Sequence, residues 1–140
     1  QFVKGGKLTA NFDVQRNWGI LKHIVLRGNT GRIFVDAAIK NAFCAQAATL
    51  DPGLPVAQRT EVLRRLRPYK NHADHFHLRL KCPPNHPRCE DQSEPPKGSG
   101  CSSSSAAALS EYASEPMSDQ QRADDDLGPD DDAFSDPDAT

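Results

Sequence analysis

A break in composition after Cys101 limits most severely what this chain can fold into. Residues 1–101 carry 16 Lys+Arg against 8 Asp+Glu, a net of +8, and residues 102–140 carry 1 against 11, a net of −10. The overall charge of −2 therefore hides a basic head and an acidic tail. Pro95-Pro96, Gly98-Ser99-Gly100 and Ser102–Ser105 read as a linker between them. Beyond it, Asp124-Asp125-Asp126 and Asp130-Asp131-Asp132 stand among few large apolar side chains. Such a segment buries too little surface to offset its chain entropy. The expectation is one folded unit, residues 1–101, followed by a disordered Ser/Asp-rich acidic tail, residues 102–140. A solubilising role for the tail is favoured over binding to a basic partner.

Within the head, periodicity alternates between helix and strand. Residues 1–10 read as a hairpin turning at Gly5-Gly6. Asp13 is placed to cap a helix whose Val14, Trp18, Leu21 and Val25 share one face, ending at Gly28-Asn29. Arg32–Val35 reads as a buried strand. Asp36 caps a second helix through Ala48, with Ile39 and Phe43 inward. Pro55 suits the first position of a third helix, Val56 to Leu66, which Pro68 stops. A strand over about 74–81 completes an α+β fold: helices packed on a small, mainly antiparallel sheet with this last strand central. Trp18 belongs to the core, and His23 lies off the apolar stripe, at the surface.

That last strand carries the chemistry. Three of the five histidines fall in His72-Ala73-Asp74-His75-Phe76-His77. In a strand, residues two apart share a face, so His75 and His77 point one way and Phe76, Leu78 and Leu80 the other. Two imidazoles side by side are the start of a metal site. Asp74 faces away from His75 in a regular strand and reads as a supporting or turn residue. No Ser-His-Asp order, reactive-cysteine signature or phosphate-binding glycine loop is present.

Asp74-His75-Phe76-His77-Leu78-Arg79-Leu80-Lys81-Cys82-Pro83 resembles the signature of the penicillin-insensitive murein endopeptidases, zinc peptidases related to the lysostaphin and D-Ala-D-Ala peptidase group. Phe12-Asp13-Val14-Gln15-Arg16-Asn17-Trp18 and Ile33-Phe34-Val35 are similar to that family's helix and following strand. Arg67-Pro68 leads into the histidine motif, and Cys82, Cys89 and Cys101 sit where the family has cysteines. The resemblance covers about residues 1–101. It implies a catalytic zinc ion (Zn2+) with His77 as a ligand, His75 acting on the attacking water or the developing oxyanion, and His72 near the site. It also implies hydrolysis of peptide cross-links in peptidoglycan, in the periplasm. Tyr69-Lys70-Asn71 replaces the aromatic, Gly-containing stretch usual in the family. The family's upstream His-x6-Asp ligand motif has no counterpart here: seven residues after His23 is Thr30, and seven after His72 is Arg79. The chain is therefore expected to be the C-terminal part of a longer precursor, inactive alone. The alternative is a non-catalytic wall-binding or structural module on the same scaffold.

Charge and cysteines bound the partners. A basic head suits nucleic acid, anionic membrane or anionic wall polymer. The aromatic interleaving of a single-strand binder and the known DNA-binding motifs are both lacking, so no nucleic-acid partner is expected. No apolar run approaches the ~18 residues of a membrane span. Four cysteines allow three pairings. Cys82 and Cys89 bracket a Pro-rich turn that brings them within reach, which would leave Cys44 to Cys101. Disulfides imply an oxidising compartment. A structural zinc held by Cys82, His86, Cys89 and Cys101 and a set of free buried thiols are the competing readings.

Overall fold

The computed structural model describes residues 1–101. The expected disordered tail lies outside the described residues. At the start, Gly5 and Gly6 adopt φ of +57° and +72°, and turn β1 (Val3–Lys4) back on β2 (Lys7–Leu8). Asp13 caps α1 (Val14–Leu26) by accepting the Arg16 N–H at 2.9 Å. Gly28, at φ +88°, turns the chain out of that helix into β3 (Thr30–Val35). Asp36 then accepts from Ala38 N at 2.8 Å to open α2 (Ala37–Leu50). The third helix, α3, runs Val56–Arg65.

Four expectations need correction. Helix α3 ends one residue early, and Leu66–Pro68 forms a short strand, β4, parallel to β3. Leu66 is fully buried beside its register partner Ile33, and Pro68 is tolerated because β4 is an edge. Pro55 occupies the N-cap, not the first helical position, and makes no side-chain cap. The histidine strand is shorter than 74–81: β5 spans His77–Leu80. It is also not central, because the sheet order is β4-β3-β5. β3 takes the centre because Arg32 to Val35 are buried on both faces, as a middle strand requires. β5 alternates half-buried and exposed, the mark of an edge.

The architecture is α+β, with three helices on one face of a three-stranded mixed sheet. Two of the three strand pairings, β1 with β2 and β3 with β5, are antiparallel. Ile33, Val35 and Leu66 supply the sheet side of the core, against Trp18, Leu21, Ile39, Phe43 and Val62 from the helices. Phe76 packs on this core as expected, but Leu78 and Leu80 do not: they are 39% and 60% exposed at the sheet margin.

A segment without regular structure, residues 91–101, straps the fold. Arg32 donates to Ser93 O at 2.8 Å, Arg64 to Pro95 O and Pro96 O, and Lys40 to Ser99 O at 2.7 Å. The buried Lys40 ammonium also donates to Leu63 O, the end of α3. Disulfides Cys44–Cys101 and Cys82–Cys89 close the strap and the loop before it. All four sulfurs are oxidised, which removes the thiolates that a structural zinc on Cys82, Cys89 and Cys101 would need, and equally the free-thiol reading. Among the described residues no helix is long and apolar enough to cross a membrane.

Candidate active site

Alternation along β3 sends Ile33 and Val35 into the core and Phe34 to the opposite face. Phe34 is paired in register with His77 on one side and Arg67 on the other. Three more rings gather over Phe34, whose centroid lies 5.1 Å from Tyr69, 6.0 Å from His72 and 5.6 Å from His77. The histidines thus stand on an aromatic floor on the face away from the helices.

The turn between β4 and β5 sets their arrangement. Asn71 takes φ +60°, a conformation Asn tolerates better than most residues, and reverses the chain. Ala73 O then accepts from both Phe2 N (2.6 Å) and Val3 N (2.8 Å), while Phe76 packs on Phe2 and Phe12. The N-terminal segment therefore pins the turn from both ends. No local pattern in the histidine run points to Phe2 or to the Ala73 carbonyl; the only signal is the concentration of Phe2, Phe12 and Phe76 in an aromatic-poor chain.

The structure brings all three expected histidines together, though not as a flat pair on one strand. His75 lies before β5, in the turn, and is exposed. His72 is buried between the other two, with ring centroids 4.8 Å from His75 and 6.0 Å from His77. His72 Nδ1 donates to Lys70 O at 2.5 Å, and His75 Nδ1 donates to Asp74 Oδ1 at 2.8 Å. Both acceptors are oxygens without a proton to give, so each neutral ring carries its lone pair on Nε2. That tautomer, held by a carbonyl or a carboxylate, is the form in which imidazoles bind metals or take protons. Asp74 does not face away from His75, because no regular strand separates them. The hydrogen bond from His75 holds the Asp74 carboxyl below its ordinary range. It is the supporting residue expected, in direct contact. His86 lies on the exposed Cys82–Cys89 loop, and His23 is exposed on α1.

Such a site has the makings of a hydrolytic or metal centre, but its donor set is partial: among the described residues, no group of three His, Cys, Asp or Glu converges to hold an ion. The chain belongs to the penicillin-insensitive murein endopeptidase family, which it matches over residues 4–135. It is 39% identical over 82 residues to the penicillin-insensitive murein endopeptidase of Pectobacterium atrosepticum, a match covering 59% of this chain and 26% of that protein. The enzymes of the same description from Escherichia coli (strain K12) and Shigella sonnei are each 43% identical over 70 residues, covering 50% of this chain and 22% of theirs. The chain spans about a quarter of the length of these curated relatives.

Proposed function

We propose that these residues form part of a zinc-dependent endopeptidase that hydrolyses peptide cross-links in peptidoglycan, with the remaining metal ligands supplied from outside the described residues. The observation that carries this reading is the gathering of His72, His75 and His77 over Phe34 in a chain of the murein endopeptidase family. The donor chemistry suits zinc, since imidazole nitrogens are among its preferred ligands. His77 would hold the ion from the start of β5. A bound zinc would supply Lewis-acid polarisation of the scissile carbonyl.

The other two histidines have distinct work. His75 is exposed and can meet substrate, and its Nε2 is free to act as base because Asp74 accepts the proton on Nδ1. His72 is buried and fixed by Lys70 O, which suits positioning of its neighbours. Two disulfides fit an oxidising compartment, and together with a wall substrate they support a periplasmic location. The test is zinc content and cross-link cleavage by the full-length parent protein and its His77→Ala form. Loss of both in the variant supports the reading. A parent protein that binds wall material yet neither holds zinc nor cuts cross-links would make it a non-catalytic wall-binding module.

A further inference from the structure

We propose that Lys4 and Lys7, facing each other across the first hairpin, form an anion clamp beside the histidine turn that takes free carboxylates of wall peptides. The two lysines are register partners in β1 and β2, which sets their Cα atoms about 5 Å apart. Val3 and Leu8, the neighbouring pair, turn into the core. Alternation therefore sends both ammonium groups to the opposite side, and both lysines are exposed. Gly5 and Gly6, at φ +57° and +72°, fix the pairing with a tight two-residue turn and place no side chain at its tip. Like charges directly opposite one another across a strand pair destabilise it. Among the described residues nothing relieves that repulsion: Lys22 pairs with Asp51 and Lys81 with Glu94, whereas Lys4 and Lys7 take no ion pair. An arriving anion does relieve it, and two ammonium groups can close on one carboxylate from both sides.

The way the hairpin is mounted favours one class of anion. Phe2 N and Val3 N both donate to Ala73 O, Thr9 N closes the hairpin on Phe2 O, and Phe2 packs on Phe76. Lys4 thus follows directly on a residue bonded to the turn that carries His72 and His75. The contacts that shape the histidine site also hold the clamp next to it. His75, two residues beyond Ala73, is exposed, and each lysine extends from its strand on a flexible four-carbon stem. Peptidoglycan stems are short peptides with free carboxylates, so a stem lying against His75 would bring one to the clamp. Anionic lipid surfaces are met by clusters of about 4–8 cations, and the hairpin offers only its two. The choice of wall peptide as ligand rests on the murein endopeptidase reading; the opposed lysine pair does not.

The test is titration of the isotope-labelled full chain, disulfides intact, with a soluble disaccharide-tetrapeptide fragment of peptidoglycan, followed at the amides of Gly5 and Gly6. Lys4→Gln combined with Lys7→Gln should weaken binding about 3- to 10-fold, the summed effect of two exposed charge contacts. Lys4→Arg with Lys7→Arg should retain most of it, and a fragment with its carboxylates amidated should bind the unsubstituted chain as weakly as the Gln variant binds the acid. Arg88→Gln with Lys97→Gln removes the same charge from exposed positions on the Cys82–Cys89 loop and the strap, and should leave affinity unchanged. The Lys4, Lys7 Gln variant should melt no lower than the unsubstituted chain, because a repulsion has been removed. Unchanged binding in that variant, an equal loss in the Arg88, Lys97 variant, or a clear drop in melting temperature, which would make the lysines structural, each overturn the proposal. So does tighter binding to phosphatidylglycerol vesicles than to the fragment, which would make the hairpin a membrane contact. None of these readouts needs zinc or cleavage. Cross-link cleavage by the full-length parent protein with lysine-independent binding would sink the clamp and keep the peptidase; lysine-dependent binding without cleavage would do the reverse.

Discussion

His72, His75 and His77 differ more in surroundings than in sequence. His77 anchors the first position of β5 over Phe34, His75 stands exposed beside Asp74, and His72 is buried under Tyr69. On the zinc reading proposed above, His77→Ala in the full-length parent protein is expected to remove both zinc and cleavage, because that reading makes His77 a ligand. His75→Ala should leave zinc bound while turnover falls about 10²–10⁴-fold, the usual effect of removing a general base or oxyanion donor. His72→Ala should cost less turnover than either, and should also lower stability, since it empties a buried ring site. Metal analysis and cross-link cleavage measured side by side decide among these; an empty site in His75→Ala with a filled one in His77→Ala would reverse the roles. The three residues were visible in the sequence because they are near neighbours. Their mutual arrangement was not, since it depends on Asn71 reversing the chain and on Phe2 and Val3 holding Ala73 from far away in sequence.

At the scale of elements, local signals and non-local ones separate cleanly. Asp13 and Asp36 cap the helices they precede, and Trp18, Leu21, Ile39 and Phe43 are buried as helical spacing demands. Each of these depends on residues within a turn or two. Asp36→Ala should therefore lower stability by about 1 kcal/mol, the usual value of an N-cap, read as a lower urea midpoint with unchanged slope. β4 was not legible, because three residues become a strand only by finding β3 alongside, and the edge position of β5 follows from the same choice. The junction of α3 with the strap has its own pH dependence. Burial pushes the Glu61 carboxyl up, but hydrogen bonds from Arg65 and Arg64 outweigh it and leave it below its ordinary value. The hydrogen bond from Arg65 lowers Glu94 likewise. Depressed carboxylates stabilise fully above the unfolded value, about 4.3, and that contribution fades as pH falls through the folded one. Glu61→Gln should thus cost about 1 kcal/mol at neutral pH, a modest figure because its side chain is 37% exposed, and almost nothing in strong acid. Denaturation by urea across pH checks it, and an equal loss at both extremes would show that packing, not charge, was removed.

The molecule as a whole is a small two-layer core cross-linked twice. Cys44–Cys101 spans a sequence separation of 57 and Cys82–Cys89 one of 7. Chain-entropy reasoning assigns the longer loop about 4 kcal/mol and the shorter about 2.5 kcal/mol. Replacing Cys44 and Cys101 with Ser should accordingly lower the melting temperature more than replacing Cys82 and Cys89, and should free the strap for proteolysis near Pro95. The reverse order would mean that the Cys82–Cys89 loop carries more of the fold than its length suggests. The short sequence separation made the Cys82–Cys89 pairing easy to anticipate, and elimination then left Cys44 for Cys101; the path of the strap, through Arg32, Arg64 and Lys40, has no periodic signature and was not legible.

β5 closes one side of the sheet with Leu78 and Leu80 turned outward, and Arg79 and Lys81 between and beside them. Strand margins with greasy side chains invite end-to-end stacking of molecules into fibrils, and interspersed charge is a common guard against it. Arg79 and Lys81 are placed to act as such a guard. Neutralising both should make the protein cloud and bind amyloid dyes on storage, well before any change in its melting temperature, whereas Leu80→Lys should prolong its shelf life.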